Sequence, residues 1–308
     1  MSIILWIMQL TLAPGLSPLF IGIVRKIKAR FQNRVGASIF QPYRDLWKLL
    51  HKDEVISKDA SWIFTFAPYL IFSITLVLGA SIPLFTTIFS SSYLGDLLSV
   101  IYLIAFGTFV LALAGMDVGS AFGGFGSSRE MTMAALTEGG LLFSILTLAF
   151  LSHSTNLFTI AGSVGSLSLY SFAPVIVAFG GFIIAMLAET SRFPFDNPAT
   201  HLELTMIHEA MILEYSGKRL ALIEWAAANK FFIFLALGAN VFLPWGISSS
   251  TGLAEISLAL VLFFVKMLGL SLFVAVLESS MAKYRYFRLP DLLFISFILS
   301  AIAMNLVI

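Results

Sequence analysis

Residues 97–116 read LLSVIYLIAFGTFVLALAGM, twenty consecutive positions without an acid or a base. A helix rises about 1.5 Å per residue, so this run reaches about 30 Å, the hydrocarbon thickness of a bilayer. Lipid offers no partner to backbone N–H and C=O groups, so a single segment of this kind crosses as a helix. Outward from it, seven more runs have the same character, giving eight in all: 3–23, 63–87, 97–116, 131–152, 169–188, 230–246, 256–277 and 290–307. Over the 308 residues, 59% are hydrophobic and 11% charged, with a mean hydropathy of +0.96. A water-soluble domain carries about 25% charged residues. These values exclude a soluble globule, a disordered chain and a nucleic-acid-binding module. The first run lacks a basic start and a small-residue cleavage site, so it reads as a span and not as a signal peptide. The expected fold is an all-α integral membrane protein, one membrane domain over 1–308 with eight transmembrane helices.

The basic residues set the orientation. Nine Lys and Arg fall between the first and second runs, at positions 25, 26, 28, 30, 34, 44, 48, 52 and 58. Arg129 lies between the third and fourth. Arg192, Lys218, Arg219 and Lys230 lie between the fifth and sixth or at their edge, and Lys283, Arg285 and Arg288 between the seventh and eighth. The intervening loops near 88–96, 153–168 and 247–255 hold none. Short basic loops resist translocation and stay cytoplasmic. Strict alternation therefore places four basic loops in the cytoplasm and both termini outside. The expected location is a prokaryotic cytoplasmic (inner) membrane, crossed many times.

Two cytoplasmic loops hold most of the polar chemistry. Loop 24–62 is basic, and within it Phe40 to His51 (FQPYRDLWKLLH) reads as an amphipathic helix at the membrane surface, with Trp47 at headgroup depth. Arg25, Lys28, Arg30, Arg34 and Arg44 are candidates for docking a soluble partner; the plainer reading is a positive-inside anchor. Loop 189–229 carries Glu189, Asp196, Glu203, Glu209, Glu214 and Glu224 against Arg192, Lys218 and Arg219. Its segment Leu202 to Leu213 (LELTMIHEAMIL) is apolar enough to be buried. Desolvation and mutual repulsion raise carboxyl pKa values, which is what a proton relay needs. The plainer reading is an acidic surface that meets a basic partner.

Within the spans, Glu138 lies about eight residues into the fourth run and Lys266 near the middle of the seventh. A charge at helix centre costs about 2.5–3.5 kcal/mol on insertion scales, so it persists where it is paired, wet or functional. A structural Glu138–Lys266 pair and a proton path are the two readings. Asp117 and Glu278 sit near span ends. The glycines and serines of 123–128 near Arg129 suggest a turn.

Other chemistries find no footing. With no cysteine there is no thiolate ligand for zinc or iron–sulfur clusters. The four histidines, His51, His153, His201 and His208, avoid mid-span positions, which argues against haem. His201 and His208 form no H-E-x-x-H pattern and read better as hydrogen-bonding or proton-carrying groups. No phosphate-binding glycine loop and no nucleophile–base set is present, so no catalytic, metal or cofactor site is expected on this chain.

Certain stretches are more specific. Ala188 to Asp196 (AETSRFPFD), followed by Glu214-Tyr215-Ser216-Gly217, resembles the signature of the NADH dehydrogenase subunit 1 family of respiratory complex I. Arg25-Lys26, Lys28-Ala29-Arg30, Asn33-Arg34-Val35-Gly36 and Gln41-Pro42 resemble that family's first cytoplasmic loop. The resemblance covers nearly the whole chain. Complex I members carry a longer Gly- and Pro-rich stretch where only Ala37 to Phe40 stands here, and an acid where Val24 stands. Gly126 to Glu130 (GSSRE) is similar to the formate hydrogenlyase membrane subunit, and Thr200 to Glu209 (THLELTMIHE) to energy-converting hydrogenases. The chain thus resembles the member of this family found in group 4 membrane-bound nickel–iron hydrogenases.

The resemblance implies a non-catalytic subunit that anchors a peripheral redox arm and couples it to proton or sodium translocation. The implied partners are the hydrogenase large and small subunits, an iron–sulfur subunit and antiporter-like membrane subunits, in the lipid bilayer. The nickel–iron centre and iron–sulfur clusters would lie on those partners. The implied proton path is Glu138, Glu189, Glu203, Glu209 and Glu214, with Asp196 and Lys266 beside it and Arg192 and Arg129 as charge partners. Glu189, Arg192, Asp196 and Glu214 occupy family motif positions; Glu209 and Lys266 rest on the residue reading alone. The alternatives are the quinone-chamber subunit of an NADH or ferredoxin:quinone oxidoreductase, and a non-conducting scaffold.

Overall fold

The computed structural model describes residues 2–89, 93–165, 172–196, 206–250 and 252–308. Those residues form eleven α-helices and no strand beyond two isolated bridges, Thr86 with Ser248 and Asp96 with Asn156. The helices are α1 (Ser2–Phe31), α2 (Gln41–Leu50), α3 (Trp62–Ser81), α4 (Leu97–Asp117), α5 (Ala121–Ser152), α6 (Leu157–Val164), α7 (Ala173–Glu189), α8 (His208–Ile212), α9 (Gly217–Leu237), α10 (Leu253–Ser280) and α11 (Leu289–Asn305). α9 continues into a π-helical turn, Gly238–Phe242.

Each of the eight expected spans overlaps a helix. Seven of these helices are long and apolar enough to cross a membrane. The eighth, α7, has 17 described residues, about 25 Å at 1.5 Å each. The protein is therefore a multi-pass, all-helical membrane protein. α2 lies where the amphipathic helix was expected.

Four boundaries depart from the sequence reading. α3 ends at Ser81, so residues 82–87 of the expected second span are not helical. α1 runs on to Phe31, so Arg25, Lys28 and Arg30 are helical. α9 begins at Gly217, so Glu224 and Lys230 belong to its helix. The expected turn at 123–128 is helical: Ser120 caps α5 by accepting from the Gly123 N–H at 3.1 Å. Glycine in a helix costs about 1 kcal/mol against Ala, and close packing explains its use here. A Cβ on Gly123 would lie 2.0 Å from the Gly115 carbonyl oxygen, and one on Gly126 would lie 2.8 Å from the Ile207 carbonyl oxygen.

Prolines inside spanning helices free carbonyls that lipid cannot satisfy. Pro18 leaves the Pro14 carbonyl open, and the Trp225 indole donates to it at 2.9 Å. Pro68 leaves the Phe64 carbonyl open, and the Tyr215 hydroxyl donates to it at 3.0 Å. Asp117, at the end of α4, accepts from the backbone N–H and hydroxyl of Ser61 at 2.8 and 2.6 Å and so closes the start of α3.

The segments that join α2 to α3 and α8 to α9 are clamped together. The Ser216 hydroxyl accepts from the Val55 N–H at 2.9 Å and donates to the Val55 carbonyl at 3.0 Å. Arg219 pairs with Glu54. Gly217 stands at φ +54°, and a Cβ there would meet the Asp53 carbonyl oxygen at 2.9 Å. At the other end of the bundle the Leu97 N–H donates to the Thr155 carbonyl, and the Thr87 N–H to the Ser248 carbonyl, each at 2.9 Å.

Candidate functional site

A cavity of about 670 Å³ opens between α1, α2, α3, α4 and α9. Its depth is apolar, lined by Ile74, Leu78, Leu103 and Ile104. Its mouth is charged. Arg25 and Lys28 come from α1, Asp45 from α2, Glu130 from α5, Glu189 from the end of α7, Glu224 and Lys230 from α9 and Glu278 from α10. The turn after α7 adds Arg192 and Asp196, and α8 adds His208 and Glu209.

Three of these carboxylates are neutralised by cations. Glu278 is shared by Lys28 and Arg192, each at 2.6 Å, and the Arg192 guanidinium also stacks 3.5 Å from the Phe231 ring centroid. Lys230 reaches Glu189 at 2.7 Å and donates to the Thr108 hydroxyl at 3.1 Å. Asp196 pairs with Lys283 at 2.6 Å and accepts from the Ile207 and His208 N–H groups at 3.3 and 3.1 Å. Those two backbone bonds hold the start of α8 beside the turn.

Glu130, Glu209 and Glu224 face the cavity with no ion pair among the described residues. Glu130 is buried. Burial raises Glu209 to about 7, and repulsion from Glu224 and Asp196 adds to it. Burial pushes His208 down to about 4 against the opposing pull of Asp196, so its imidazole is neutral at neutral pH. Glu209 thus exchanges its proton near neutrality, inside a set of carboxyl groups that line one cavity.

Of the expected site residues, Glu189, Asp196, Arg192 and Glu209 meet here. Glu203 and His201 lie outside the described residues. Glu138 does not line the cavity; it stands two turns further along α5 than Glu130, about 12 Å at 1.5 Å per residue. Glu214 is exposed. Lys266 is bound to Asn240 and to two backbone carbonyls, so the Glu138–Lys266 pair does not form. Arg129 takes no carboxylate among the described residues: it donates to the Met206 carbonyl at 3.1 Å and stacks on Phe125 and Tyr286, at 3.7 and 5.3 Å to the ring centroids. Among the docking candidates, Arg25, Arg30, Arg34 and Arg44 are exposed, Arg25 also lining the mouth, whereas Lys28 is committed to Glu278.

The sequence reading did not assign Glu130, Glu224, Glu278 and Lys230 to the site. Glu130 carried a usable signal, since it ends the GSSRE stretch. For a metal, no group of three or more His, Cys, Asp or Glu among the described residues could hold one.

The fold and this cavity define a class of multi-helical membrane subunits. A profile of the family described as NADH dehydrogenase matches residues 3–308, and the chain belongs to that family. It is 34% identical to hydrogenase-4 component C of Escherichia coli (strain K12), over 94% of this chain and 90% of that protein. It is 32% identical to formate hydrogenlyase subunit 4 of the same organism, over 92% of each. A subunit of the NADH-quinone oxidoreductase of Burkholderia ambifaria (strain MC40-6) is 28% identical over 68% of this chain and 62% of that protein. A chain in the structure of the membrane-bound sulfane sulfur reductase, an archaeal respiratory membrane complex, shares the fold, with a TM-score of 0.84 over 100% of both chains at 20% identity.

Proposed function

We propose that this chain moors the redox arm of a membrane-bound nickel–iron hydrogenase and couples electron flow there to ion translocation. It is a membrane subunit of a hydrogenase-type complex, as its full-length likeness to hydrogenase-4 component C and formate hydrogenlyase subunit 4 supports. The nickel–iron centre and iron–sulfur clusters belong to partner chains, since this one has no cysteine to ligate them. The basic loops face the cytoplasm of a prokaryotic inner membrane, both termini face outward, and α7 completes the eight crossings. Arg30, Arg34 and Arg44 offer the arm its electrostatic contact. Antiporter-like subunits take up the ions alongside.

One observation carries the coupling role: a single cavity wall gathers Glu130, Glu189, Glu209, Glu224 and Lys230. A change of charge in the docked arm redistributes protons among these groups, and Lys230 passes the change from Glu189 toward Glu130. The test is Glu130→Gln and Glu189→Gln in the intact complex. Ions moved per hydrogen formed should fall while hydrogen evolution with an artificial donor persists; unchanged stoichiometry in both variants leaves only a mooring role.

The cavity favours a second reading. Its volume lies within the roughly 300–1,000 Å³ typical of small-molecule sites, with an apolar depth and a polar mouth. A quinone would suit it, and quinone-dependent turnover of the purified complex would decide for that reading.

A further inference from the structure

Lys266 stands midway along α10, half-buried, and no described carboxylate pairs with it. An ammonium has three N–H donors. Here all three are used on uncharged oxygens: Asn240 Oδ1 at 2.6 Å, and the carbonyls of Leu243 and Trp245 at 3.0 Å each. Asn240 sits in the π-helical turn that ends α9, and its amide donates to the carbonyls of Pro83 and Leu84 at 2.8 and 2.5 Å. Where α3 ends and that stretch begins, the Gln9 amide donates to the carbonyls of Ala80 and Ile82 at 3.0 and 2.7 Å. Gln9 Oε1 is buried and receives no hydrogen bond among the described residues.

Two helix ends therefore meet in a corner crowded with neutral oxygens. α3 gives way there to buried, non-helical backbone, and α9 presents its C-terminal carbonyls, the negative end of its dipole. Unwound carbonyls and helix C-termini are the ligands with which membrane transporters hold alkali cations. We propose that Lys266 is a tethered monovalent cation, filling from within the chain a cage whose chemistry is that of an alkali-ion site. A bound ion exchanges with solution, whereas an ammonium on its own helix stays. A fixed positive charge also repels cations that approach along the bundle. With that charge in place this corner admits no free cation, and it stands apart from the cavity, whose lining includes neither Lys266 nor its three oxygen partners. On the coupling reading above, ions handled at the carboxylates leave sideways through a neighbouring chain.

The test uses the complete complex in proteoliposomes, at rest. Lys266→Ala empties the cage, Lys266→Met fills the space without charge, and Lys266→Gln keeps donors without charge. The thermal unfolding midpoint is measured in choline, sodium, potassium and methylammonium chloride, together with passive proton leak. Lys266→Ala should unfold at a lower temperature in choline and recover most of that loss in at least one of the small cations. Lys266→Met and Lys266→Gln should stay low in every salt, and all three should leak protons several-fold faster than the parent. An Ala variant as stable as the parent in choline, a loss that no small cation reduces, or an unchanged leak would overturn the proposal. Should the Ala variant not assemble, parental stability and tightness in Lys266→Gln would overturn it equally. These readouts need no turnover, so they stand or fall apart from the pumping test of Glu130.

Discussion

The Tyr215 hydroxyl donates at 3.0 Å to the Phe64 carbonyl, the oxygen that Pro68 four residues later cannot serve. The Phe64 and Tyr215 rings stack with centroids 3.9 Å apart and planes 5° from parallel. Tyr215→Phe keeps the stack and loses only the bond, stranding a buried carbonyl at a cost of about 1–3 kcal/mol. Pro68→Ala restores a backbone N–H at the helical position. The double variant Tyr215→Phe/Pro68→Ala should therefore recover most of the loss. Thermal unfolding of the four proteins in a double-mutant cycle checks this, and strict additivity would contradict it.

Lys230 and Lys28 should differ when each is replaced by Met. Lys230→Met leaves Glu189, 4% exposed at its side chain, without its cation. Stranding a buried charge costs about 3–5 kcal/mol. Lys28→Met leaves Glu278 still paired with Arg192, so its loss should be clearly smaller. Unfolding midpoints of the two variants, compared side by side, measure the difference.

Glu209 titrates near 7 instead of its ordinary 4.5 because burial disfavours its charge. The folded protein therefore holds this proton more tightly than the unfolded chain. Its contribution to stability is present below the ordinary value and is lost as pH rises from 4.5 to about 7. Glu209→Gln should equal the parent in acid and exceed it at about pH 8. A carboxyl infrared band that titrates near neutrality and vanishes in Glu209→Gln would identify the group. His208 acts in the opposite sense: its stabilising neutral form is lost as pH falls from 6.5 to about 4.

Gly126→Ala should loosen α8. The new Cβ would press on the Ile207 carbonyl oxygen at 2.8 Å and the Ala210 Cβ at 2.9 Å, both at or beside α8. Overpacking of this kind costs about 1–3 kcal/mol. Because His208 and Glu209 open α8, coupling should suffer together with stability. Gly124→Ala, where nothing lies within 4 Å, is the matched control and should raise stability slightly if it changes anything. Thermal unfolding and ion stoichiometry of both variants provide the measurement.

Much of the architecture was legible because lipid imposes simple rules. Charge-free runs such as 97–116 became helices, and a short helix, Gln41–Leu50, formed where the amphipathic pattern stood. Motif residues also proved meaningful: Tyr215, Ser216 and Gly217 have contacts that explain them individually. What stayed hidden was direction. A span that is apolar on every side does not declare which face meets its neighbours, so Glu130, Glu224 and Lys230 could not be aimed at a common space. Glycines at 123, 124 and 126 looked like a turn because propensity is local, whereas the use of Gly123 and Gly126 in α5 is decided by backbone from α4 and the start of α8. Lys266 suggested an acidic partner, since nothing in sequence shows that α9 breaks and offers carbonyls instead.

The clamp between Val55 and Ser216 bears on how this chain can change length. Below it, backbone partners lock the register, and an extra residue would tear Ser216 from its mate. Upstream, residues 31–38 are all exposed, so loop growth there meets open solvent. The related subunits that carry additional Gly and Pro after the RVG of this segment can thus host them as a surface excursion. Kin of quite different size in that region can keep one frame, because the tolerant stretch and the rigid stretch are neighbours that do not share a load.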